Sequence, residues 1–369
     1  MKTISKFLLI ATLILAACQG DDDAGDGDST GKDNFDRGEM LANWADNIIV
    51  PSFENFQEQT EKLEEIANAF AETPGNTELM LLRTQYKVAY QVFQTVEMFQ
   101  IGKAEEINYR SFLNTYPLNE EGLESKIASG SYNLELPSSF AQQGFPALDY
   151  LLYSKGSAEE TLEFLTANPE HLNYLVSVAE RINTLTAEVT NSWQGGYRDT
   201  FVSNTSSSST GSVDRFTNDY VMYYEKILRS GKIGYPAGAF TGSPAPGNVE
   251  ALYAGNLSKT LYLQAFSSFE DFYYGVKLNE EGNGPSYFQY LEYMEERSDL
   301  DLTTSIANQF SAIRDQSSEL DENLKNQVET DNTKMLSAFD ELQKQVVLLK
   351  VDMMQALSIS VDYVDSDGD

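Results

Sequence analysis

The sequence predicts an all-α protein built from long antiparallel helices. Apolar residues recur every three or four positions over most of the chain, and this spacing places them on one face of a helix. The clearest stripe lies near the C-terminus and consists of Met335, Phe339, Leu342, Val346, Leu349 and Met353. Strand-like alternation is scarce and is clear only in residues 359–364. Such a chain buries its apolar faces by packing helix against helix.

Proline, glycine and capping residues set the limits of the predicted helices. The Pro-Gly pair at 74–75 is expected to end the first long helix, and Pro51 to kink it. Residues 102–137 mix short helical and loop segments. The Asn-Pro pair at 168–169 predicts the start of another long helix, because Asn caps a helix and Pro fits its first turn. The second long helix carries the stripe Leu79, Leu82, Tyr86, Ala89, Phe93 and Val96.

A polar segment divides the chain into two halves. Residues 203–212 are rich in Ser and Thr and contain no apolar anchor. A chain of 369 residues is also longer than a single core usually serves. We therefore predict an N-terminal helical bundle in residues 35–202 and a C-terminal helical bundle in residues 213–369, which ends in a short extended tail.

The N-terminus has the pattern of a bacterial lipoprotein signal peptide in residues 1–17. Lys2 and Lys6 precede an apolar run in residues 7–15, which is too short to span a bilayer as a helix. Two alanines then lead into Cys18, the one cysteine of the chain. A lone cysteine forms no intrachain disulfide, whereas lipidation of Cys18 would anchor the protein to a membrane. The alternative is a secretory signal followed by an incidental cysteine.

The segment after the cysteine is acidic. Residues 18–34 alternate small residues with aspartates and bury no apolar area, so we expect a disordered acidic tether. The aspartates close behind Cys18 resemble the export signal of surface lipoproteins in the Bacteroidetes. This resemblance implies an outer membrane lipoprotein exposed at the cell surface. A periplasm-facing lipoprotein with a plain acidic linker is the alternative.

The composition excludes several classes of function. The formal net charge of -32 disfavours nucleic acid as a partner, and no basic patch offsets it. The chain has one histidine, His171, which excludes a His-Glu-x-x-His zinc site. We expect His171 on the exposed first turn of a helix, without a catalytic partner. A bound metal would then need carboxylates, carbonyls or tyrosines, which favour hard cations such as calcium or ferric iron.

Several segments resemble the imelysin family. Residues 143–153, Gln-Gly-Phe-Pro-Ala-Leu-Asp-Tyr-Leu-Leu-Tyr, are similar to the family signature, whose pattern is Gly-x-His-x-x-Glu among comparable aromatic and leucine residues. Further resemblance lies in Val50–Phe53, in Trp193 with Tyr197 and Phe201, in Lys232–Gly238, in Val249–Tyr253 and in residues 359–369. Together these segments extend over nearly the whole chain that follows the signal peptide.

The resemblance implies two helical bundles with a site in the cleft between them. Members of the family are typically envelope lipoproteins or periplasmic proteins linked to iron acquisition, and the family carries a metallopeptidase label. This chain departs from the motif, because Pro146 stands at the His position and Asp149 at the Glu position. Proline offers no ligand atom and does not fit deep inside a regular helix, so the helix is expected to begin near Pro146. The family's metal site is therefore in doubt for this chain.

The candidate binding residues surround this altered motif. They are Gly144, Pro146, Asp149, Tyr150, Glu97 and Glu250, and we take Asp149, Glu97 and Glu250 as candidate ligands of iron or another hard cation. The alternative for Asp149 is that it only stabilises the helix start or pairs with a basic residue. The alternative for each glutamate is a solvated helix face.

Three functions remain open. The first is a non-catalytic binding component of iron, iron-carrier or haem acquisition, anchored through its lipid and working with an outer-membrane receptor. The second is a glycan-binding surface lipoprotein that uses its many aromatic rings, although such rings at helical spacing are more often core residues. The third is a metallopeptidase, which Pro146 and the missing histidines make the weakest of the three.

Overall fold

Helices form almost all of the regular structure in this computed structural model, which describes residues 33–363. The α-helices of the first half are Arg37–Asn43, Val50–Glu72, Asn76–Phe93, Lys103–Glu106, Tyr109–Leu113, Glu120–Ser129, Gly144–Tyr153, Ala158–Ala167, Pro169–Ser192 and Arg198–Ser203. Those of the second half are Ser212–Met222, Tyr235–Ala237, Ser258–Tyr274, Tyr287–Glu295, Leu302–Ser318, Leu324–Thr330, Asn332–Val346 and Met354–Ala356. Within residues 33–363 the β-structure is limited to an isolated bridge between Val276 and Asn283. The all-α prediction is confirmed.

Wider and tighter helical turns interrupt this pattern. Turns of π-helix occupy Trp44–Ile49, Trp193–Tyr197, Tyr223–Gly234 and Val347–Met353, and 3-10 helix occupies Pro137–Gln142 and Pro246–Asn248. A π-turn inserts an extra residue and often marks a functional position. The Tyr223–Gly234 segment matters most here, since it carries several buried charges.

The predicted helix limits are largely confirmed. The first long helix ends at Glu72, just before the Pro-Gly pair. Asn168 caps the helix that begins at Pro169, where its side chain accepts a hydrogen bond from the backbone N–H of Glu170 at 3.1 Å. Pro51 lies in the first turn that follows the Trp44–Ile49 π-turn. Pro51 offers no N–H to the preceding turn, and in that turn the carbonyl of Asn47 accepts the N–H of Leu278 at 2.9 Å.

The alternating segment near the C-terminus does not form a strand, which corrects the strand-like reading of residues 359–364. Residues 359–363 are non-helical, and within them Ile359 alone is fully buried. The side chain of Asn218 takes the place of a neighbouring strand. Its amide donates to the carbonyl of Ser360 at 3.0 Å and accepts the N–H of Asp362 at 2.9 Å. Residue 364 and those after it lie outside the described residues.

A loop joins the two halves where the sequence predicts it. One helix ends at Ser203 and the next begins at Ser212, and the residues between them are mostly exposed. The halves share hydrophobic contacts, since the Trp44 ring lies 5.4 Å from Phe216 and 4.9 Å from Tyr287. Residues 35–363 belong to one compact unit. The division into bundles at 35–202 and 213–369 stays a prediction.

The aromatic side chains serve mainly as core. Tyr220, Phe269, Phe272 and Tyr287 are at most 1% exposed and contact one another. Fully burying such a side chain contributes about 1.5–3 kcal/mol. No helix among residues 33–363 has the length and apolar character needed to cross a membrane.

Candidate functional site

The altered motif forms the start of the Gly144–Tyr153 helix, and its first residues have structural roles. Gly144 has a φ of +72°, and a Cβ there would overlap the carbonyl oxygen of Leu113, so the position requires glycine. Pro146 is the third residue of the helix, where no intrahelical N–H bond is lost. The prediction that the helix begins near Pro146 is confirmed.

Asp149 binds the backbone of the second half. Its Oδ2 accepts the N–H of Tyr253 and its Oδ1 accepts the N–H of Ala254, each at 2.8 Å. Asp149 is 2% exposed, and burial raises the pKa of its carboxyl to about 7 although both backbone hydrogen bonds act to lower it. Its bonding therefore differs from both alternatives considered above, the helix start and a basic partner.

Tyr150 extends this contact between the halves. Its hydroxyl donates to Glu124 at 2.8 Å, and its ring lies edge-on to the ring of Tyr253 with centroids 5.5 Å apart. The hydroxyl of Tyr253 binds Glu120. These hydroxyls therefore bind carboxylates on the Glu120–Ser129 helix, and neither of them binds Glu97 or Glu250.

The structure brings Glu97 and Glu250 together although the sequence separates them widely. The amide nitrogen of Asn114 donates to Oε1 of both carboxylates, at 2.8 Å in each case. Both glutamates are 2% exposed. The alternative of a solvated helix face is therefore wrong for both residues.

Lys232 provides the cation of this pair, and the sequence analysis did not single it out. Its Nζ lies 2.7 Å from Glu250 Oε2, 3.1 Å from Glu97 Oε2 and 2.7 Å from Gln94 Oε1. These three acceptors match the three protons of an ammonium group. Burial lowers the pKa of Lys232, but Glu250 and Glu97 outweigh it and the pKa is raised. Lys232 is therefore charged, and this one ammonium is shared by two carboxyl groups.

The π-turns of the Tyr223–Gly234 segment align two of the groups at this cluster. Tyr223 donates its hydroxyl to Glu97 Oε2 at 3.2 Å, next to the Lys232 ammonium. Tyr223 and Lys232 are nine residues apart, which is about two and a half turns of an α-helix and would place them on opposite faces. A π-helix bonds each residue to the fifth one along, so the same nine residues make about two turns. Both side chains then reach Glu97.

A cavity of about 260 Å³ adjoins this cluster. Its lining includes Glu97, Asn114, Tyr116, Lys226, Gly231 and Tyr235. The hydroxyl of Tyr116 is buried and makes no hydrogen bond to the part of the chain that the structure describes. Burial, Glu250 and Glu97 together raise the pKa of Tyr116 far above its usual value, so the hydroxyl is neutral. The cavity wall thus contains one buried hydroxyl that has no hydrogen-bond partner among the described residues.

The carboxylates do not fit a metal ion as they are arranged. Within residues 33–363 no three His, Cys, Asp or Glu side chains converge in a way that could hold a metal. Both oxygens of Asp149 accept backbone N–H groups, and Lys232 lies between Glu97 and Glu250. The site is therefore a buried ammonium–carboxylate cluster beside a cavity.

The prediction for His171 is wrong. This residue is 8% exposed, its Nε2 lies 3.3 Å from Glu124, and its ring packs 4.3 Å from that of Phe164. The Ala158–Ala167 helix, which carries Phe164, covers the first turn in which His171 lies. First-turn residues are usually exposed, but this packing was not visible in the sequence.

The match to a family model covers most of the chain. The Imelysin family model matches residues 49–349. Iron-regulated protein A of Synechococcus elongatus is 23% identical over 124 residues, which are 34% of this chain and 33% of that protein. The match to this curated relative thus spans about a third of its length.

Solved structures share the fold. An imelysin-like protein from Psychrobacter arcticum superposes with a TM-score of 0.69 at 17% identity, covering 89% of this chain and 97% of that one. A putative iron-regulated protein A precursor from Parabacteroides distasonis gives a TM-score of 0.73 at 18% identity with the same coverage. Because the family model matches most of the chain, this protein belongs to the imelysin family.

Proposed function

We propose that this protein is a non-catalytic binding component of iron acquisition, lipidated at Cys18 and exposed on the outer membrane. Relatives named as iron-regulated protein A, in Synechococcus elongatus and Parabacteroides distasonis, support the link to iron. Cys18 and the acidic tether 18–34 support the location, although all of residues 1–32 lie outside the described residues.

The cavity beside the Lys232 cluster is the observation that carries the binding role. Small-molecule sites are concave, largely preformed and lined by a few fixed polar groups. Asn114 and Glu97 are held in place by hydrogen bonds before any ligand arrives, and Tyr116 keeps an unused hydroxyl. Preorganised groups lower the entropic cost of binding. Because the carboxylate oxygens are engaged by Lys232, Asn114 and backbone N–H groups, we assign these carboxylates to holding the cavity wall in place and not to catalysis.

Titration calorimetry with ferric citrate as the probe tests the binding role. A Cβ at Gly231 would lie 3.4 Å from the Tyr116 hydroxyl, so Gly231→Leu places atoms in the cavity whereas Gly231→Ala adds only an ordinary contact. We expect wild type and Gly231→Ala to bind ferric citrate and Gly231→Leu to bind at least about tenfold more weakly. Iron-free citrate is the control for binding of the carrier alone.

The competing functions give different results with the same proteins. Haemin binding that Gly231→Leu leaves intact would place the iron ligand outside this cavity. Heat on adding maltoheptaose, without heat on adding ferric citrate, would support glycan binding. Chelator-sensitive cleavage of a casein substrate would support a metallopeptidase. Each of these results would contradict the proposal as stated.

The location is tested on intact cells. Mass spectrometry of the mature N-terminus should find Cys18 with fatty acids and residues 1–17 removed. Proteinase K added to whole cells should then degrade the protein without lysis. Protection from the protease until the outer membrane is opened would favour a periplasm-facing lipoprotein.

A further inference from the structure

The buried cluster has the layout of a cation site whose cation belongs to the chain itself. Three oxygens, Glu97 Oε2, Glu250 Oε2 and Gln94 Oε1, surround the ammonium of Lys232 at 2.7–3.1 Å. The Lys232 side chain is 0% exposed, so water does not contribute to its solvation. The cluster is thus a preformed cage of oxygen atoms around one positive charge.

We propose that Lys232 is a specificity-determining residue that excludes free metal ions from the Glu97–Glu250 pair, and that its removal turns the pair into a divalent-cation site. The three oxygens around its Nζ are of the hard type that Mn²⁺, Mg²⁺ and Ca²⁺ prefer. With Lys232 present, an entering dication is repelled by the ammonium group, which already occupies the space between the two carboxylates. When Lys232 is replaced by a neutral residue, both carboxylates are available to the dication.

The remaining groups support an ion in that position. Asn114 fixes Oε1 of both carboxylates, which keeps their Oε2 atoms directed toward the same point. Tyr223 also fixes Glu97, because its hydroxyl donates to Glu97 Oε2 at 3.2 Å. Glu97 and Asn114 also line the cavity of about 260 Å³, so the cluster lies directly behind a cavity wall and not deep in the core.

The inference does not depend on the proposed function. If both hold, iron reaches the cavity inside a carrier and not as a free ion that Glu97 and Glu250 ligate. A failure of ferric citrate to bind would count against the proposed function alone. The experiment below uses Mn²⁺ alone, so its result bears only on Lys232.

The test counts Mn²⁺ bound to the purified protein by electron paramagnetic resonance of the free ion. Lys232→Met keeps an unbranched side chain of similar length and removes the charge. We expect stoichiometric Mn²⁺ binding by Lys232→Met, none at this site in wild type, and at least about tenfold weaker binding when Glu250→Gln is added. The last variant separates site binding from Mn²⁺ attracted by the acidic surface.

Lys350→Met is the matched control. Lys350 Nζ lies 3.0 Å from Glu225 Oε2, and Lys350 is not among the residues that line the cavity. This variant should bind no more Mn²⁺ than wild type. Should Lys232→Met not fold in metal-free buffer, refolding with Mn²⁺ should restore its circular dichroism spectrum, and refolding with K⁺ should not.

Three results would overturn the proposal. One is a Mn²⁺ ion bound by wild type and lost on Glu250→Gln, since the site would then accept metal beside Lys232. Another is folded Lys232→Met that binds no Mn²⁺ above wild type. The third is an unfolded Lys232→Met that Mn²⁺ does not rescue.

Discussion

Two buried ion clusters lie along the Tyr223–Gly234 segment, and among the residues that the structure describes their ratios of cations to carboxylates are opposite. At the first cluster one ammonium, Lys232, serves two carboxylates. At the second cluster, within residues 33–363, several cations lie close to one carboxylate, that of Glu225. Their distances to Glu225 oxygens are 2.7 Å for Lys226, 3.0 Å for Lys350 and 3.8 Å for Arg229.

The two clusters differ in how many partners a carboxylate keeps after one cation is removed. When one cation is removed from Glu225, the carboxylate still has the others and the hydroxyl of Tyr363 at 2.9 Å. When Lys232 is removed, two carboxylates face each other in a site from which water is excluded. Breaking a buried ion pair by deleting one partner leaves an uncompensated charge, which is the costly case. The first cluster is therefore sensitive to a single substitution, and the second is buffered against it.

The largest predicted effect is that of Lys232→Met on stability. We expect the free energy of unfolding, measured by urea titration near neutral pH, to fall by about 3–5 kcal/mol. For Lys226→Met we expect a loss of about 1 kcal/mol or less, because its side chain is 18% exposed and Glu225 keeps its other partners. Equal losses in the two variants would show that the clusters do not differ in redundancy.

Asp149 extends the comparison to a buried carboxylate whose hydrogen bonds come from two backbone N–H groups. Burial raises its folded-state pKa to about 7, well above the ordinary carboxyl value of 3.8. The folded state therefore holds a proton that the unfolded state releases between these values. The stability contributed by this proton is complete below about pH 4 and is lost as the pH rises through about 7.

Asp149→Asn removes this titration, so the difference between wild type and variant isolates it. Between about pH 5 and about pH 8, the unfolding free energy of wild type should fall relative to that of the variant by about 2–3 kcal/mol. Asp219, whose pKa burial raises to about 6, contributes equally to both proteins and cancels. Parallel pH profiles would mean that Asp149 stays ionised throughout this range.

The fold could be predicted because its signals are local. Apolar spacing, the Asn-Pro start at 168–169 and the Pro-Gly pair at 74–75 act through neighbouring residues, and the helices follow them. The alternation in residues 359–364 is also local, but a strand needs a partner strand, and here the Asn218 side chain binds the backbone of Ser360 and Asp362 instead. Local sequence patterns do not indicate structural features that depend on contact with a distant residue, such as the binding of Ser360 and Asp362 by Asn218.

The site could be predicted only in part for the same reason. Glu97 and Glu250 were singled out and do meet, but the sequence did not indicate Lys232 between them. A helical projection with 3.6 residues per turn places Lys232 on the face opposite Tyr223. The π-turns change that period, and their hydrogen bonds leave no recognisable residue pattern. The backbone partners of Asp149 were hidden similarly, since they lie 104 and 105 residues further along the chain.

The smallest predicted effect compares one hydroxyl from each cluster. Tyr223→Phe removes a donor to Glu97 at 3.2 Å in a site where the ring is fully buried, and we expect a loss of about 1–2 kcal/mol in unfolding free energy. Tyr363→Phe removes a hydroxyl that donates to Glu225 from a half-buried side chain. Because Glu225 also has several cations as partners, we expect a loss of about 0.5 kcal/mol in unfolding free energy.

A double-mutant cycle decides whether the Tyr223 effect comes from the carboxylate. The coupling energy of Tyr223→Phe with Glu97→Gln should be of the order of 1 kcal/mol, because the two residues share a hydrogen bond. The cycle of Tyr363→Phe with Glu225→Gln should give a smaller coupling energy. If the coupling energy of the Tyr363–Glu225 cycle were the larger, Glu225 would depend on a single donor more strongly than Glu97 does, although several cations surround it. The contrast between the two clusters would then be wrong.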